Sequence, residues 1–483
     1  MSDIIGPIPN TIVPGTLADA VPVMSNFNWI RDEVNANAIG GHNVDSYYLT
    51  SDLQAINDAI AAAVAGLNGS NTVYFEARDY VITAGINPID LSGSKNIRLI
   101  GQRAATRPGF PNLASSGTRI LCNFTTAGQI ALNIYTTGAN LSDPNHYAGF
   151  EISDLAIQYN GTGAGADAKG IQIGYPGTQI SYNGMRNVIR NVFVDYFLND
   201  CVSLLSCEGL LCNNLSVFTH ASSVKRALFI YNNKWDCFSG DTSFDACDFH
   251  GTGNAGQNTV EINCHGDGTF AHSISIAGLH FTDCNFYDGN TGLSLFCDGT
   301  GLLLDCFFEN CQWDGVNSIA NIADAIYIAC TTTSSTISGV QFTNCYMVNW
   351  HVSAIFAISF VGGYIENIGI NNNYIGECLS SPINLSGVSG SNITGTRCFS
   401  SGSGTGQSLI VLDAGSSNNV VANNIHKILS GGSPPSGIQY LVTIGATGTN
   451  TYNVVTSNVG NASVGSVNNL GGVTNVVANN TFS

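Results

Sequence analysis

A six-residue phrase occurs twice in the middle of this chain. Phe281-Thr282-Asp283-Cys284-Asn285-Phe286 and Phe308-Glu309-Asn310-Cys311-Gln312-Trp313 share one pattern: apolar, variable, Asp or Asn, Cys, variable, aromatic. Their cysteines lie 27 residues apart, a separation that suits one turn of a wide coil. A single coil cannot bury its own apolar face, so a chain of such units must stack them on a shared core. Equivalent positions fall at Leu155, Val192, Leu215, Cys247, Cys284, Cys311, Cys345, Asn373, Thr396, Asn423, Ser457 and Asn479, at intervals of 22 to 37 residues. Fixed strands joined by turns of varying length produce that scatter. The preceding residue is Asp154, Asn191, Asn214, Asp283, Asn310, Asn344 or Asn372 in most copies. A corner between two strands needs a residue that tolerates the left-handed backbone region, and Asn and Asp are the usual choices besides Gly.

With 483 residues, 55 of them Gly, and 10% charged side chains, the chain suits one long repeat domain with a polar, weakly ionic surface. A net charge of −18 argues against nucleic acid and anionic membrane surfaces as partners, because both are bound through basic patches. No apolar run reaches the roughly 18 residues of a membrane span. The start, Met1-Ser-Asp-Ile-Ile-Gly-Pro, lacks the basic and apolar regions of a signal peptide, so synthesis in the cytoplasm with reduced cysteines is expected. Of the 15 cysteines, Cys247, Cys284, Cys311 and Cys345 recur at one place in the repeat and read as an inward stack of small apolar side chains. Neither a CxxC pair nor a Cys/His set at finger-like spacing is present, so no metal and no cofactor are expected.

Residues 1–16, with three prolines and two glycines, read as an extended arm. From Asp19, the segment ADAVPVMSNFNWIRDEVNANA sets Val23, Phe27, Ile30, Val34 and Ala38 at helical spacing. Its apolar stripe needs a partner, and copies of itself are favoured over its own body, giving a short bundle. A linker over 40–50 leads to a second helix, SDLQAINDAIAAAVAG, with Ser51 or Asp52 as cap and Gly66 as stop. NTVYFEARDYVIT follows as a strand pair, then KNIRLIGQR and SSGTRILCNF as strands. Beyond about Ser386 the chain carries almost no charge, and NNVVANNIHKI, YNVVTSNVGNA and TNVVANNTFS echo one another. The coils are expected to continue to the end, either as a single-chain tail or with three chains wrapped together.

Two segments carry a resemblance. IPNTIVPGTLADAVPVMSNFNWIRDEVNANA resembles the N-terminal segment of bacteriophage tail fibres and tailspikes. The order of helix, TVYFEARDY and NIRLIGQ resembles the start of the pectate-lyase-like right-handed parallel β-helix superfamily, although Glu76-Ala77-Arg78 stands where Pro-Ala-Gly is usual. The resemblance implies an all-β, right-handed parallel β-helix with short N-terminal helices, assembled as a homotrimer. It also implies a virion location, with the arm docked on a phage tail, baseplate or adaptor protein. The expected organisation is a docking arm and trimerising helix over 1–40, a capping helix and first coils over 41–150, a central β-helix over 151–385, and C-terminal coils over 386–483. The implied function is binding of a bacterial surface polysaccharide, capsule or O-antigen, with depolymerisation by glycosidic hydrolysis. A binding-only receptor protein and a polysaccharide lyase stand as alternatives on the same fold.

The corner fixes the register. Side chains alternate along a strand, so positions −2, +1 and +3 from the corner point inward and −1, +2 and +4 point out. The outward set is then Asp245, Asp248 and His250 on one coil, Thr282, Asn285 and Tyr287 on the next, and Glu309, Gln312 and Asp314 on the third. Carboxylates beside aromatics and amides suit a sugar, which stacks on rings and hydrogen-bonds to planar groups. Asp245, Glu309, Asp248 and Asp314 are the expected catalytic carboxyls, since glycoside hydrolysis needs one protonated and one ionised carboxyl. Asp245 and Glu309 share a column two coils apart, roughly 9 to 10 Å, near the upper end of the inverting range. Tyr287, Asn285, Gln312, His250 and Trp235 are the expected sugar-binding residues. Trp235, Asp236 and Asp241 are placed in a long turn, WDCFSGD, while Asp267, Asp298 and Asp324 read as turn residues. A groove between subunits is an equal competitor to this wall. Lys225-Arg226, the basic pair on a middle coil, keeps a lyase open.

Overall fold

The computed structural model describes residues 41–93, 95–102, 117–136, 149–160, 167–174, 187–220, 222–223, 225–233, 238–266, 274–315, 324–350, 352–360, 362–399, 407–427, 438–462, 464–471 and 474–482. The arm and first helix expected over 1–40 fall outside these residues. The described chain is a parallel β-helix. Its strands fall into a broad sheet of 30 strands and a narrow sheet of 13, with one α-helix, Asp52–Val64. Ser51 caps that helix through Gln54 N–H at 3.2 Å, and its buried face is Ala55, Ile56, Ala59, Ile60, Ala62 and Ala63. The departure at Glu76-Ala77-Arg78 ties the helix to the first coils. Arg78 reaches Asp45 at 2.6 Å and Asp52 at 2.9 Å, and Glu76 accepts from Asn43 at 2.7 Å. Thr72–Tyr74 and Asp79–Ile82 do not pair with each other. The first pairs with Asn96–Ile100 and the second with Arg119–Cys122.

One coil illustrates the path. Ile274–Thr282 runs along the broad sheet, bends at Gly278, turns at Asp283, and continues as Asn285–Tyr287. The chain then crosses to Thr291–Asp298 in the narrow sheet and returns as Gly301–Glu309. Gly278 has φ +67°, and a Cβ there would lie 2.7 Å from Asp241 Oδ1 in the coil before, so only Gly fits that bend without displacing its neighbour. At the second corner, Asp154, Asn191, Asn214, Ala246, Asp283, Asn310, Asn344 and Asn372 all have φ between 50° and 58°. Their side chains also link coils: Asn214 donates to Asn191 at 2.9 Å, and Asn191 to Asp154 at 2.8 Å.

The expected register holds over the central coils. Phe244, Phe281, Phe308 and Phe342 stack inside with ring centroids 4.4, 4.8 and 5.0 Å apart. Phe249, Phe286 and Trp313 form a second inner stack at 5.6 and 4.6 Å. Fully burying each such ring contributes about 1.5–3 kcal/mol. The cysteine stack is as expected: Cys247, Cys284, Cys311 and Cys345 are buried with free thiols. The narrow sheet carries another, Cys264, Cys297 and Cys330, in register across three strands.

The phase assigned to the last coils needs correction. Asn423, Ser457 and Asn479 are the left-handed corners, with φ 57°, 57° and 55°. The inward positions are Asn424, Asn458 and Asn480, which continue the column of Cys345, Asn373 and Thr396 through backbone-to-amide hydrogen bonds. When the inward residue is itself Asn, a corner Asn cannot be told from it by type alone. The coils do continue to the end of the chain, as strands Val476–Ala478 and Thr481–Phe482.

Candidate functional site

The expected wall is present on the broad sheet. Strand pairing aligns Asn213, Asp245, Thr282 and Glu309 in one column. Ser216, Asp248, Asn285 and Gln312 form the next, and Phe218, His250, Tyr287 and Asp314 the third. Asp245 and Glu309 are therefore two coils apart with Thr282 between them. Asp248 and Asp314 stand in different columns as well as two coils apart, so they are set farther from each other than Asp245 is from Glu309.

The amides on the wall hold the carboxylates. Asn213 donates to Asp245 at 2.7 Å. Asp248 accepts from Asn285 at 2.7 Å and from Ser216 at 3.4 Å. Asn349 donates to Asp314 at 2.8 Å. Glu309 is exposed. Beside these carboxylates runs a ladder of rings: Phe218 stacks on His250 at 3.8 Å, and His250 on Tyr287 at 4.4 Å. An outward ladder of stacked rings flanked by amides and carboxylates has the parts that hold a sugar chain: apolar surface, here mostly ring edges, and fixed hydrogen-bonding groups.

Several expected positions fall elsewhere. Trp235 and Asp236 lie outside the described residues, as does Asp267. Asp241 is not in a long turn, because Phe238–Asp245 is a strand and Asp241 is its left-handed bend, φ 46°. Asp298 and Asp324 are strand residues of the narrow sheet. Asp298 is paired with His265 at 2.6 Å. Both take part in parallel pairing, so the turn reading does not hold for them.

The narrow sheet holds what the repeat did not reveal. A groove of about 420 Å³ is lined by Asn258, Glu261, Asn263, Asn290, Thr291, Ser294, Phe296, Asp324 and Tyr327. Glu261 accepts from Arg226 at 3.2 Å, Asn258 at 2.9 Å and Asn263 at 3.3 Å. Arg226 is also held by Asp200 at 2.8 Å and lies over the Phe229 ring. Burial works against its charge, but Asp200 and Glu261 more than offset that, so its pKa rises above the ordinary value. A permanently protonated guanidinium cannot take the proton that a lyase must remove. Asp324 is the opposite case. Burial pushes its carboxyl up to about 7, against the N–H of Ser353, which it accepts at 2.9 Å. Tyr327 is raised by burial and by Asp324. Burial similarly lifts Asp195 to about 8, and burial with the charge of Asp241 raises Glu208. A legible signal existed for the groove. NTVEINCH, TGLSLFCD and DAIYIAC repeat an alternation around Cys264, Cys297 and Cys330, and it places Glu261 and Tyr327 outward.

No family model matches the sequence, and no curated protein is similar to it in sequence. Similar solved structures exist. The A-module of the mannuronan C-5 epimerase AlgE6 of Azotobacter vinelandii aligns with TM-score 0.53 at 13% identity, covering 91% of this chain and 99% of that one. PfbA, a surface adhesin of Streptococcus pneumoniae, aligns with TM-score 0.52 at 16% identity, covering 89% and 90%. Tailspike protein 3 of bacteriophage CBA120 aligns at 0.48 and 11% identity, covering 92% and 62%. At these identities the likeness concerns the fold, and the chain is a parallel β-helix in common with the epimerase module and the adhesin.

Proposed function

We propose that this protein is a bacteriophage tailspike that binds a bacterial surface polysaccharide, capsule or O-antigen, and depolymerises it by glycosidic hydrolysis. The observation that carries the reading is the outward ladder Phe218–His250–Tyr287 beside the amide-held Asp245 and Asp248. It offers successive sugars an apolar ladder of ring edges and a row of acceptors along the coil axis. The parallel β-helix supports the same reading, since one protein of this fold acts on mannuronan and another is a surface adhesin. The low charge and −18 balance suit a glycan partner and not nucleic acid. In this reading the arm over 1–40 docks on the phage tail, the chain is a homotrimer, and the C-terminal coils help to hold the three chains together. Incubation with purified capsular polysaccharide or O-antigen tests it: polymer shortening with new reducing ends is expected, and neither binding nor shortening across a panel of glycans would sink it.

A specific observation also favours a binding-only wall. The oxygens of Asp245, Asp248 and Asp314 already accept from Asn213, Asn285 and Asn349. Groups fixed as acceptors orient a hydroxyl well and are poorly placed to donate a proton.

A further inference from the structure

We infer that the broad-sheet wall takes an uncharged glycan and rejects one that carries uronate, sialate or phosphate groups. The inference rests on the proposed polysaccharide reading and narrows the class of its substrate. The distribution of charge along the chain carries it. Between Lys234 and Arg397 the sequence has fifteen Asp and Glu and not one Lys or Arg, so this stretch holds −15 of the net −18. The coils of this stretch build most of the wall.

Strand register decides where that charge faces. Asp245 and Glu309 stand in one outward column, Asp248 in the next and Asp314 in the third. At about 4.8 Å per coil, the four carboxylates share roughly 10 Å of the coil axis. The two coils that follow add Thr343 and Asn371, Tyr346 and Tyr374, then Val348 and Gly376, none of them basic. Among the described residues, the nearest cations in these columns do not neutralise the four. Arg190 precedes Asp245 by two coils, about 10 Å, and is drawn the other way by Glu151, at 3.3 Å. Arg397 follows Gln312 by three coils, about 14 Å. Both separations exceed the Debye length of about 8 Å at physiological salt. Lys225 and Arg226 lie beyond the wall, on the turn that leads to the narrow-sheet strand Leu228–Asn232, and Arg226 is held there by Asp200 and Glu261.

Such a wall is suited to hydroxyl groups. A carboxylate accepts hydrogen bonds and donates none, so Asp245, Asp248, Glu309 and Asp314 can pair with sugar O–H groups and with no anionic oxygen. The amides of Asn213, Asn285 and Asn349 direct donors at the wall's own carboxylates. An anionic sugar set against this surface adds like-charge repulsion and finds no cation to pair with. An uncharged glycan meets the same acceptors without that penalty. Discrimination therefore comes from repulsion of the wrong partner and not from shape.

The test uses the full-length protein and a panel of purified capsular and O-antigen polysaccharides, some uncharged and some bearing uronate. His250 and His280 face out on this sheet and can gain positive charge, so binding is measured at about pH 8, where an ordinary imidazole is neutral. The glycan bound most tightly should be uncharged. Partial oxidation of its primary hydroxyls to carboxylates should weaken binding about tenfold or more at about 50 mM salt, and less than about threefold at about 0.5 M salt. Converting those carboxylates to amides keeps their bulk and removes the charge, and should restore affinity to within a few fold. The double variant Glu309→Gln, Asp314→Asn should reduce the loss on oxidation by about threefold or more, with melting temperature retained. A bound glycan that needs its own uronates, an oxidised glycan held as tightly as its parent, a loss that persists in the amide, or binding of an acidic glycan that appears only with added calcium overturns the inference and leaves the polysaccharide reading intact. Wild-type protein that binds no member of the panel removes both.

Discussion

Asn424 directs both its backbone N–H and its side-chain amide at the Oδ1 of Asn458, at 3.1 and 2.9 Å. Asn458 repeats the contact on Asn480 at 3.0 and 2.9 Å, and its amide also reaches the Val421 carbonyl at 3.1 Å. Asn419, Asn453 and Asn475 form a parallel ladder at the other corner. Interior polar groups at these corners are thus satisfied by identical neighbours one coil away, which suits weakly charged C-terminal coils with few aromatic side chains to stack. Asn458→Ala leaves two donors of Asn424 and an interior carbonyl without partners, so a loss of about 2–5 kcal/mol is expected. Asn479→Ala, at the corner one residue before the ladder, should cost about 1 kcal/mol through its left-handed backbone alone. Denaturant unfolding of the two variants separates them, and equal losses would refute the ladder's role.

Trp313 and Phe286 lie almost parallel, 3° between planes and 4.6 Å between centroids. The indole Nε1 is buried without a partner. Removing the ring should cost about 3–5 kcal/mol. Trp313→Phe should cost less than about 1.5 kcal/mol, because the lost contacts are partly offset by removing an unsatisfied N–H. Thermal melts of both variants check this, and a Phe variant as damaged as Ala would mean that the N–H is in fact bonded.

The broad sheet was legible because its corners are chemically marked. Asp283-Cys284 and Asn310-Cys311 couple a left-handed residue to a small buried one, and that pair fixes which side chains face out. It correctly placed Asp245, Asp248, His250, Asn285, Tyr287, Glu309, Gln312 and Asp314 in three columns. The same reasoning slipped by one residue at Asn423-Asn424, where both positions accept Asn. The narrow sheet has no such corner marker, and Asp324 follows a stretch rich in Asn and Ala that imitates a turn. Its raised carboxyl arises from burial by neighbours distant in sequence, which no local pattern encodes.

The ring ladder on the wall makes a binding prediction. Tyr287→Ala removes one face of the His250–Tyr287 stack, and Gln312→Ala removes an amide from the adjacent column. If the wall holds the glycan, Tyr287→Ala should weaken affinity by about 5- to 30-fold, in keeping with about 1–2 kcal/mol for a lost aromatic platform. Titration calorimetry with a glycan bound by the wild-type protein measures it. Unchanged affinity for both variants would place the glycan elsewhere on the solenoid.

Asp195 gives the fold a pH dependence of calculable sign. It is 2% exposed, its Oδ1 has no partner, and burial lifts its pKa from the ordinary carboxylate value to about 8. The backbone N–H of Tyr196 favours the ionised form in part, but burial outweighs it. The folded chain binds this proton more tightly than the unfolded chain does. The stabilisation is therefore complete below the unfolded pKa near 4 and is lost as pH rises towards 8, and Asp324 acts in the same direction up to about 7. Stability should fall by a few kcal/mol between pH 5 and pH 9 on account of these two groups. Asp195→Asn keeps the shape and removes the titration, so its melting temperature should change less over that interval and exceed the wild-type value at pH 9. A wild-type melting temperature that rises from pH 5 to pH 9, or a variant with an unchanged slope, would show that Asp195 is ionised in the folded protein.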